Sequence, residues 1–409
     1  MRMVLCTFVY FLFFNLAFSQ LNETGENKSV NSDTLSEQSN ELKNLQKSAQ
    51  QMLPAAESSI PSPLSRTFQQ GSRSLQALNP ELSITGDMVS KLLLEKPYYT
   101  DEERSGFSLR VVEVALQSNL DPFSKAKVIL EFSPEEIGVA EMYATWINPL
   151  PRLNITAGKF RQEFGVVNRW HKHALDQIAY PLPVELYFGE EGLSQTGISA
   201  NWLMPSLVAG VNEMTLQLTN SENETLFSGE EFSLPATLLH LKNYYDINPS
   251  TYFEWGVSGL VGTNDSLGLD VTRSHRWTYM AGLDLTLSWI PVNRALYKGM
   301  TWRSELFYLK KEIPASRVIN AFGAYSYVDY RLNRRWIVGM RGDMAQPLQI
   351  ENDDYYLWKI VPYLTFRQSE YVYFRLEYSH LGSKNLEEKD NRLTLQLNWS
   401  VGPHRHERY

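Results

Sequence analysis

The feature that most restricts how this chain can fold is a strict alternation of apolar and polar residues, carried through segments of about ten residues and repeated from Leu82 to the end. In Arg392 to Val401, Leu393, Leu395, Leu397, Trp399 and Val401 share one parity. Arg392, Thr394, Gln396, Asn398 and Ser400 share the other. Successive side chains of an extended backbone point to opposite faces, so this is a strand with one greasy and one wet side. Its length is unusual for a soluble sheet and matches the ~9–11 tilted residues that cross a bilayer.

Segments of this kind fall near 82–94, 106–118, 124–134, 137–148, 152–161, 196–204, 212–220, 237–247, 250–261, 276–290, 299–312, 317–332, 335–346, 356–368, 370–381 and 391–401. They make about sixteen strands, an even number as in bacterial barrels. In the segment from Arg276, Trp277, Tyr279, Ala281, Leu283, Leu285, Leu287 and Trp289 oppose Thr278, Gly282, Asp284, Thr286 and Ser288. The apolar parity begins and ends in aromatics, as two interfacial girdles require. Trp336, Val338, Met340 and Met344 oppose Arg341 and Asp343 in the same manner. A soluble sandwich would need a second layer over all these faces, and the sequence offers no helices to supply it. Lipid is the simpler cover. The expected fold is all-β, a transmembrane antiparallel barrel over residues 80–409, inserted in outer-membrane lipid by the barrel-assembly machinery.

The amino terminus fits that destination. Arg2 precedes an apolar run from Val4 to Phe14, and Ala17-Phe18-Ser19 is a small-x-small cleavage site, so residues 1–19 are expected to be a signal peptide. Cys6 is the only cysteine and lies in that segment, leaving no disulfide to hold the exported chain. Residues 20–79 are rich in Ser, Asn, Gln and Glu and carry no strand pattern. They read as a disordered or short-helical periplasmic tail, with a coiled coil over Glu37 to Met52 as the alternative. A plug domain would need far more chain. The net charge of −8 argues against nucleic acid as a partner.

Parity places Glu113, Lys127, Glu131, Glu141, Glu254, Asp284, Arg303, Glu305, Arg341, Asp343, Lys359, Arg367, Arg375 and Glu377 on the inner face. A water-filled lumen lined by mixed charge filters small solutes with weak ion selectivity; the alternative is that these charges pair across strands and fill the barrel. Connections alternate between short, as at Asn333-Arg334, Gln368-Ser369 and Pro134 to Glu136, and long, as at 162–195, 221–236, 262–275 and 382–390. The 162–195 segment carries Arg161, Arg169, His171, His173, Asp176, Glu190 and Glu191 among aromatics. Folded inward it is a constriction loop; left outside it is a surface or contact loop.

The blocks F-S-L-R-V-V-E-V-A-L (107–116), D-P-F (121–123), G-K-F-R-Q-E-F-G-V-V-N-R-W-H-K-H-A-L (158–175), G-E-E-G-L-S (189–194) and G-P-H-R-H-E-R-Y (402–409) resemble phosphate-selective-porin-like outer-membrane proteins. Some relatives in that group are labelled zinc-regulated outer-membrane receptors. The resemblance implies a bacterial outer-membrane channel, often a homotrimer. The chain lacks the Lys/Arg-rich constriction of anion-selective members, which separates it from phosphate selectivity.

Two histidine pairs, His171/His173 and His404/His406, are weak metal candidates, since imidazoles two residues apart on an extended chain share a side and a carboxylate can complete a site. No cofactor is expected. No nucleophile elbow, phosphate loop or zincin motif occurs, and paired carboxylates such as Glu131 and Glu141 are ordinary in a lumen, so an enzyme is not expected. The expected role is a passive diffusion channel for small hydrophilic solutes or ions. The alternatives are a plug-less receptor for a ligand such as a metal chelate, and a closed barrel acting as scaffold or adhesin.

Overall fold

A computed structural model describes residues 80–94, 105–134, 136–206, 210–227, 234–264, 276–313, 317–349, 355–383 and 390–402. The signal peptide, the tail to residue 79 and the His404/His406 pair lie outside these residues.

Sixteen strands account for most of the described chain: β1 Glu81–Leu93, β2 Gly106–Asp121, β3 Ser124–Phe132, β4 Ile137–Leu150, β5 Leu153–Arg161, β6 Ser194–Met204, β7 Val211–Thr219, β8 Ala236–Asn248, β9 Thr251–Asn264, β10 Arg276–Trp289, β11 Gly299–Ile313, β12 Arg317–Arg331, β13 Trp336–Ala345, β14 Leu357–Arg367, β15 Val372–Ser383 and β16 Asp390–Val401. Each overlaps one of the alternating segments. Every strand pairs antiparallel with its sequence neighbours, and β1 closes on β16 in a register running from Ile84↔Val401 to Leu93↔Arg392. Closure leaves no strand edge unpaired, which is what a bilayer interior demands of backbone amides and carbonyls.

The outer surface is a belt of exposed apolar side chains, among them Trp202, Leu216, Leu239, Val257, Trp277, Leu283, Leu306, Val338, Met340, Trp358, Ile360, Leu376 and Leu395. On a water-soluble protein such a patch would be a liability; on a membrane barrel it is the lipid contact.

Antiparallel connectivity corrects the sequence picture in one place. Connections leaving odd-numbered strands all emerge at one end, and the long 162–193 loop is among them. The short Pro134 to Glu136 turn joins β3 to β4 and therefore sits at that same long-loop end, not with Asn333-Arg334 and Gln368-Ser369 at the other.

The inner face is not uniformly polar. Leu306 and Tyr308 of β11 face outward at 40% and 49% exposure, yet the intervening Phe307 and Leu309 are at 1% and 0%. Leu238, Leu260, Met280, Phe307, Leu309, Ala321, Tyr325 and Ala345 belong to one buried cluster inside β8 to β13. These residues lie toward the long-loop end, and what buries them is the loop.

Candidate functional site

The chain leaves the wall at Arg161 and returns at Ser194, and the Gln162 amide donates to the Leu193 carbonyl (2.9 Å), closing the neck of the loop. Residues 162–193 fold inward as two 3-10 turns, Val167–Arg169 and Lys172–Ala174, and one short helix, α1, Leu182–Phe188. Pro181 precedes the helix and Pro183 sits in its first turn, where a missing amide costs nothing. Phe164, Val167, Trp170, Leu175, Tyr180, Val184, Tyr187, Phe188 and Leu193 are all fully or almost fully buried. A loop bathed in a wide aqueous lumen would not bury these.

On the β8 to β13 side the contact is apolar. Phe164 stacks on Phe307 (5.9 Å between centroids, 12°) and meets Phe188 edge-on (5.3 Å, 73°), while Phe307 lies against Tyr325 (6.2 Å). Two glycines of the wall make room: a β-carbon at Gly282 would lie 2.6 Å from the Phe164 ring, and one at Gly323 would lie 2.7 Å from Pro183 and 2.8 Å from Tyr187.

Deeper in the barrel the loop is fixed through its backbone. Glu305 accepts from the amides of Val166 (2.9 Å) and Val167 (3.0 Å), and Ser258 Oγ accepts from Gly165 (3.0 Å). Gly165 has φ +63°, and a β-carbon there would fall 2.2 Å from a Glu305 oxygen, so only glycine allows both the turn and the approach. Asp343 accepts from the Leu182 amide (3.1 Å) and Glu377 from the Ile178 amide (2.9 Å). Arg341, wholly buried, pairs with Asp343 (2.9 Å) and donates to the carbonyls of Ala179 (2.8 Å) and Tyr180 (3.3 Å). Arg110 bridges Asp87 and the Ile178 carbonyl.

Against the β2 to β4 wall stand the histidines. Glu113 and Glu131 face each other directly across the β2–β3 ladder. His171 Nδ1 lies 3.2 Å from Glu113 Oε2 and 3.2 Å from Glu131 Oε1, and its Nε2 lies 3.4 Å from Glu141 Oε2. His173 Nδ1 lies 3.3 Å from the same Glu113 Oε2, and the two rings stack at 5.8 Å. Burial disfavours the His171 imidazolium, but the charge of Glu113 and hydrogen bonds to Glu131 and Glu141 outweigh both burial and Arg161, lifting its pKa from 6.5 to about 9. Arg161 donates to Tyr180 Oη (2.9 Å) and to the Glu191 carbonyl (2.6 Å). Burial, with Glu191, raises the Tyr180 phenol to about 12 although Arg161 pulls it down.

The expected lining residues thus face inward, but most serve a different purpose from wetting a lumen. Glu113, Glu141, Glu254, Asp284, Arg303, Glu305, Arg341, Asp343, Arg375 and Glu377 are buried. Arg303 lies over the Trp170 ring (4.5 Å) and donates to Thr286 (3.0 Å) and Tyr327; Arg375 donates to Thr365 (3.1 Å) and Gln396 (3.0 Å). Lys127 pairs with Glu141 (3.4 Å) and Lys242 with Glu254 (3.0 Å). Asp284 lies 3.5 Å from His240. Lys359, half-buried, is in register with Asp343, and Arg367 is exposed at the short-turn end. Of the loop residues, Asp176 accepts from Tyr327 (2.9 Å), Arg169 is half-buried, and Glu190 and Glu191 are exposed. Glu131 and Glu141 are both engaged by His171.

Sequence reasoning missed the apolar inner residues and the loop anchors Phe164, Gly165, Tyr180 and Tyr187. A signal was present: Leu306-Phe307-Tyr308-Leu309 is apolar on both parities, which marks a strand buried on both faces.

No known protein-family profile matches the chain. An uncharacterised protein of Aquifex aeolicus (strain VF5) is 26% identical over 337 residues, 74% of this chain and 70% of its own. Among solved structures, the anion-selective porin of Comamonas acidovorans superposes with a TM-score of 0.54 at 9% identity, covering 79% of this chain and 99% of that one. OprB of Pseudomonas putida gives 0.54 at 12% identity, covering 81% and 96%. OmpT of Vibrio cholerae in its trimer form gives 0.51 at 8% identity, covering 80% and 100%. Closed barrel, apolar belt and likeness together define the class: this is a sixteen-stranded β-barrel of the bacterial outer membrane.

Proposed function

We propose that the protein is an outer-membrane channel for small hydrophilic solutes or ions, narrowed by the 162–193 loop. The observation that carries this reading is that loop itself, which folds into a closed barrel and crosses it from the β2–β4 wall to the β12–β13 wall. Arg110, Lys127, Glu131, Lys172 and Asp176 are half-buried rather than sealed, and they supply a charged, water-accessible edge along which a solute would pass. Both signs are present there, which supports weak ion selectivity. The inner cations are matched by carboxylates, Arg110 by Asp87, Lys127 by Glu141, Lys242 by Glu254 and Arg341 by Asp343, which argues against a phosphate-selective lumen. The assembly in this reading is a homotrimer, residues 1–19 direct export, and residues 20–79 form a periplasmic tail.

A second reading, a barrel closed by its own loop, draws on the apolar contact of Phe164, Tyr187 and Phe188 with β10 to β12. Single-channel recording of refolded protein in planar bilayers separates the two. Defined conductance steps with a small reversal potential in a salt gradient support the channel. Inserted barrels that stay silent in the wild type and begin to conduct only when the loop is deleted support the closed barrel.

A further inference from the structure

We infer that Glu113, Glu131, His171 and His173 form a binding site for a divalent transition cation of the zinc type, which fastens the inner loop to the β2–β3 wall. Three features carry this. The first is the donor spacing. Zinc bonds to nitrogen and oxygen of ~2.0–2.1 Å set tetrahedral ligand–ligand edges of about 3.3–3.4 Å. His171 Nδ1 to Glu113 Oε2 is 3.2 Å, His171 Nδ1 to Glu131 Oε1 is 3.2 Å, and His173 Nδ1 to Glu113 Oε2 is 3.3 Å. One donor atom from each of Glu113, Glu131 and His171 lies within 4.8 Å of the other two.

The second is charge. Glu113 and Glu131 are direct cross-strand partners, and like charges set opposite each other in a ladder repel unless a cation lies between them. Glu141 of β4 adds a third carboxylate beside the same imidazole. Glu113 is 4% exposed, and its Oε2, the atom both histidines approach, has no hydrogen-bond partner among the described residues. A buried carboxylate oxygen left in that state is costly, and a coordinated cation removes the cost.

The third is support from behind. A metal-bound histidine characteristically presents its other nitrogen to a carboxylate, which fixes the ring and strengthens the bond. His171 Nε2 lies 3.4 Å from Glu141 Oε2, and Glu141 is held in turn by Lys127 (3.4 Å). Two ligands come from the wall and two from the loop, so the ion joins them. Imidazole nitrogens select a transition cation over calcium or magnesium, which take oxygen donors.

The inference does not depend on the channel reading, because binding and conductance are measured separately. The experiment is calorimetric titration of the refolded full-length barrel in detergent with Zn²⁺ and, as controls, Ca²⁺ and Mg²⁺. Folding of every variant is checked by the mobility difference between heated and unheated samples in SDS gels. The expected result is one saturable zinc site, no calcium or magnesium site, and tetrahedral-type visible bands when Co²⁺ replaces zinc. His171→Ala and Glu113→Gln abolish the site, Glu141→Gln weakens it by ~10–100-fold as a positioning residue, and Glu254→Gln leaves it intact. Absence of saturable zinc binding by folded wild type overturns the inference, and the imidazolium of His171 is then the cation that serves the three glutamates. Binding that survives in folded His171→Ala and Glu113→Gln but disappears in a His404→Ala/His406→Ala variant also overturns it.

Discussion

Glu305→Ala tests whether the inner loop is held by the wall or merely rests on it. The carboxylate accepts two adjacent loop amides, from Val166 and Val167, in a site only 2% exposed. Each hydrogen bond to a charged buried group contributes about 1.5–3 kcal/mol, so the pair contributes ~3–6 kcal/mol to docking of the loop's first turn. Some of that returns on substitution, because Asp284 is the direct cross-strand partner of Glu305 and loses a like-charged neighbour. The net penalty is ~2–5 kcal/mol, which at tenfold per 1.4 kcal/mol raises the undocked population by about 30-fold to a few thousand-fold. Glu305→Gln keeps an acceptor oxygen and should give a smaller effect. The assay is single-channel recording, paired with protease digestion of the vesicle-embedded barrel. The expected outcome is larger or more frequent conductance steps and new cleavage within 162–193, in the order Ala, Gln, wild type. A folded Glu305→Ala barrel with wild-type conductance and no new cleavage would refute the reasoning.

Two further substitutions probe the wall itself. Leu306→Arg puts a charge on the lipid face of β11 and should cost ~2–4 kcal/mol in urea-induced unfolding from vesicles if Leu306 lies near the midplane; a cost near zero would place that residue in the headgroup region. Arg341→Met strips the buried Asp343 of its partner and the Ala179 and Tyr180 carbonyls of a donor, with an expected loss of ~3–5 kcal/mol. Arg341→Met/Asp343→Leu removes the stranded charge while leaving the Leu182 amide without its acceptor, so it should recover part of that loss. A double variant as unstable as Arg341→Met alone would show that the stranded charge is not the larger part of the cost.

Most of the barrel was legible because the physics of a spanning strand writes itself into single residues: one face meets lipid, the other does not, and parity reports which. That is why Leu393 to Val401 and Trp277 to Trp289 announce their strands without any partner in view. The lumen was less legible, because parity says that Glu305 or Arg341 points inward but not whether it meets water or an amide. Inward orientation of the 162–193 loop could not be read from its composition either. Its buried aromatics meet partners far away in the chain: Phe164 and Tyr187 pack on Phe307, Tyr187 also on Gly323, and Trp170 lies under Arg303. The His171/His173 pair was only a weak metal candidate in the sequence, because the carboxylates beside it, Glu113 of β2 and Glu131 of β3, are brought to it only by the fold.

The two sides of the loop differ in what water does to them, and this decides which side can part. Polar contacts on the β2, β3 and β15 side can be exchanged for contacts with water. The net cost is ~1.5–3 kcal/mol for each bond to a charged group, as at Arg110, Glu113, Glu131 and Glu377, and ~0.5–1.5 kcal/mol for the neutral bond that Tyr373 donates to the His173 carbonyl. Apolar contacts on the β10 to β12 side cannot be exchanged at all; wetting Phe164, Phe188 and Phe307 costs about 25 cal/mol for each Å² exposed. In the cation-free barrel, opening therefore begins on the polar side, with α1 staying on its wall. A disulfide tests this cleanly, since Cys6 is the only native cysteine. A β-carbon at Gly323 would lie 2.7 Å from that of Pro183, and a small shift brings the pair to the ~3.8 Å that a disulfide spans. If the apolar side is the fixed one, the oxidised Pro183→Cys/Gly323→Cys barrel conducts as its reduced form does. Conductance that rises sharply on reduction would mean that α1 itself swings away, and that the aromatic contact is the gate rather than the hinge.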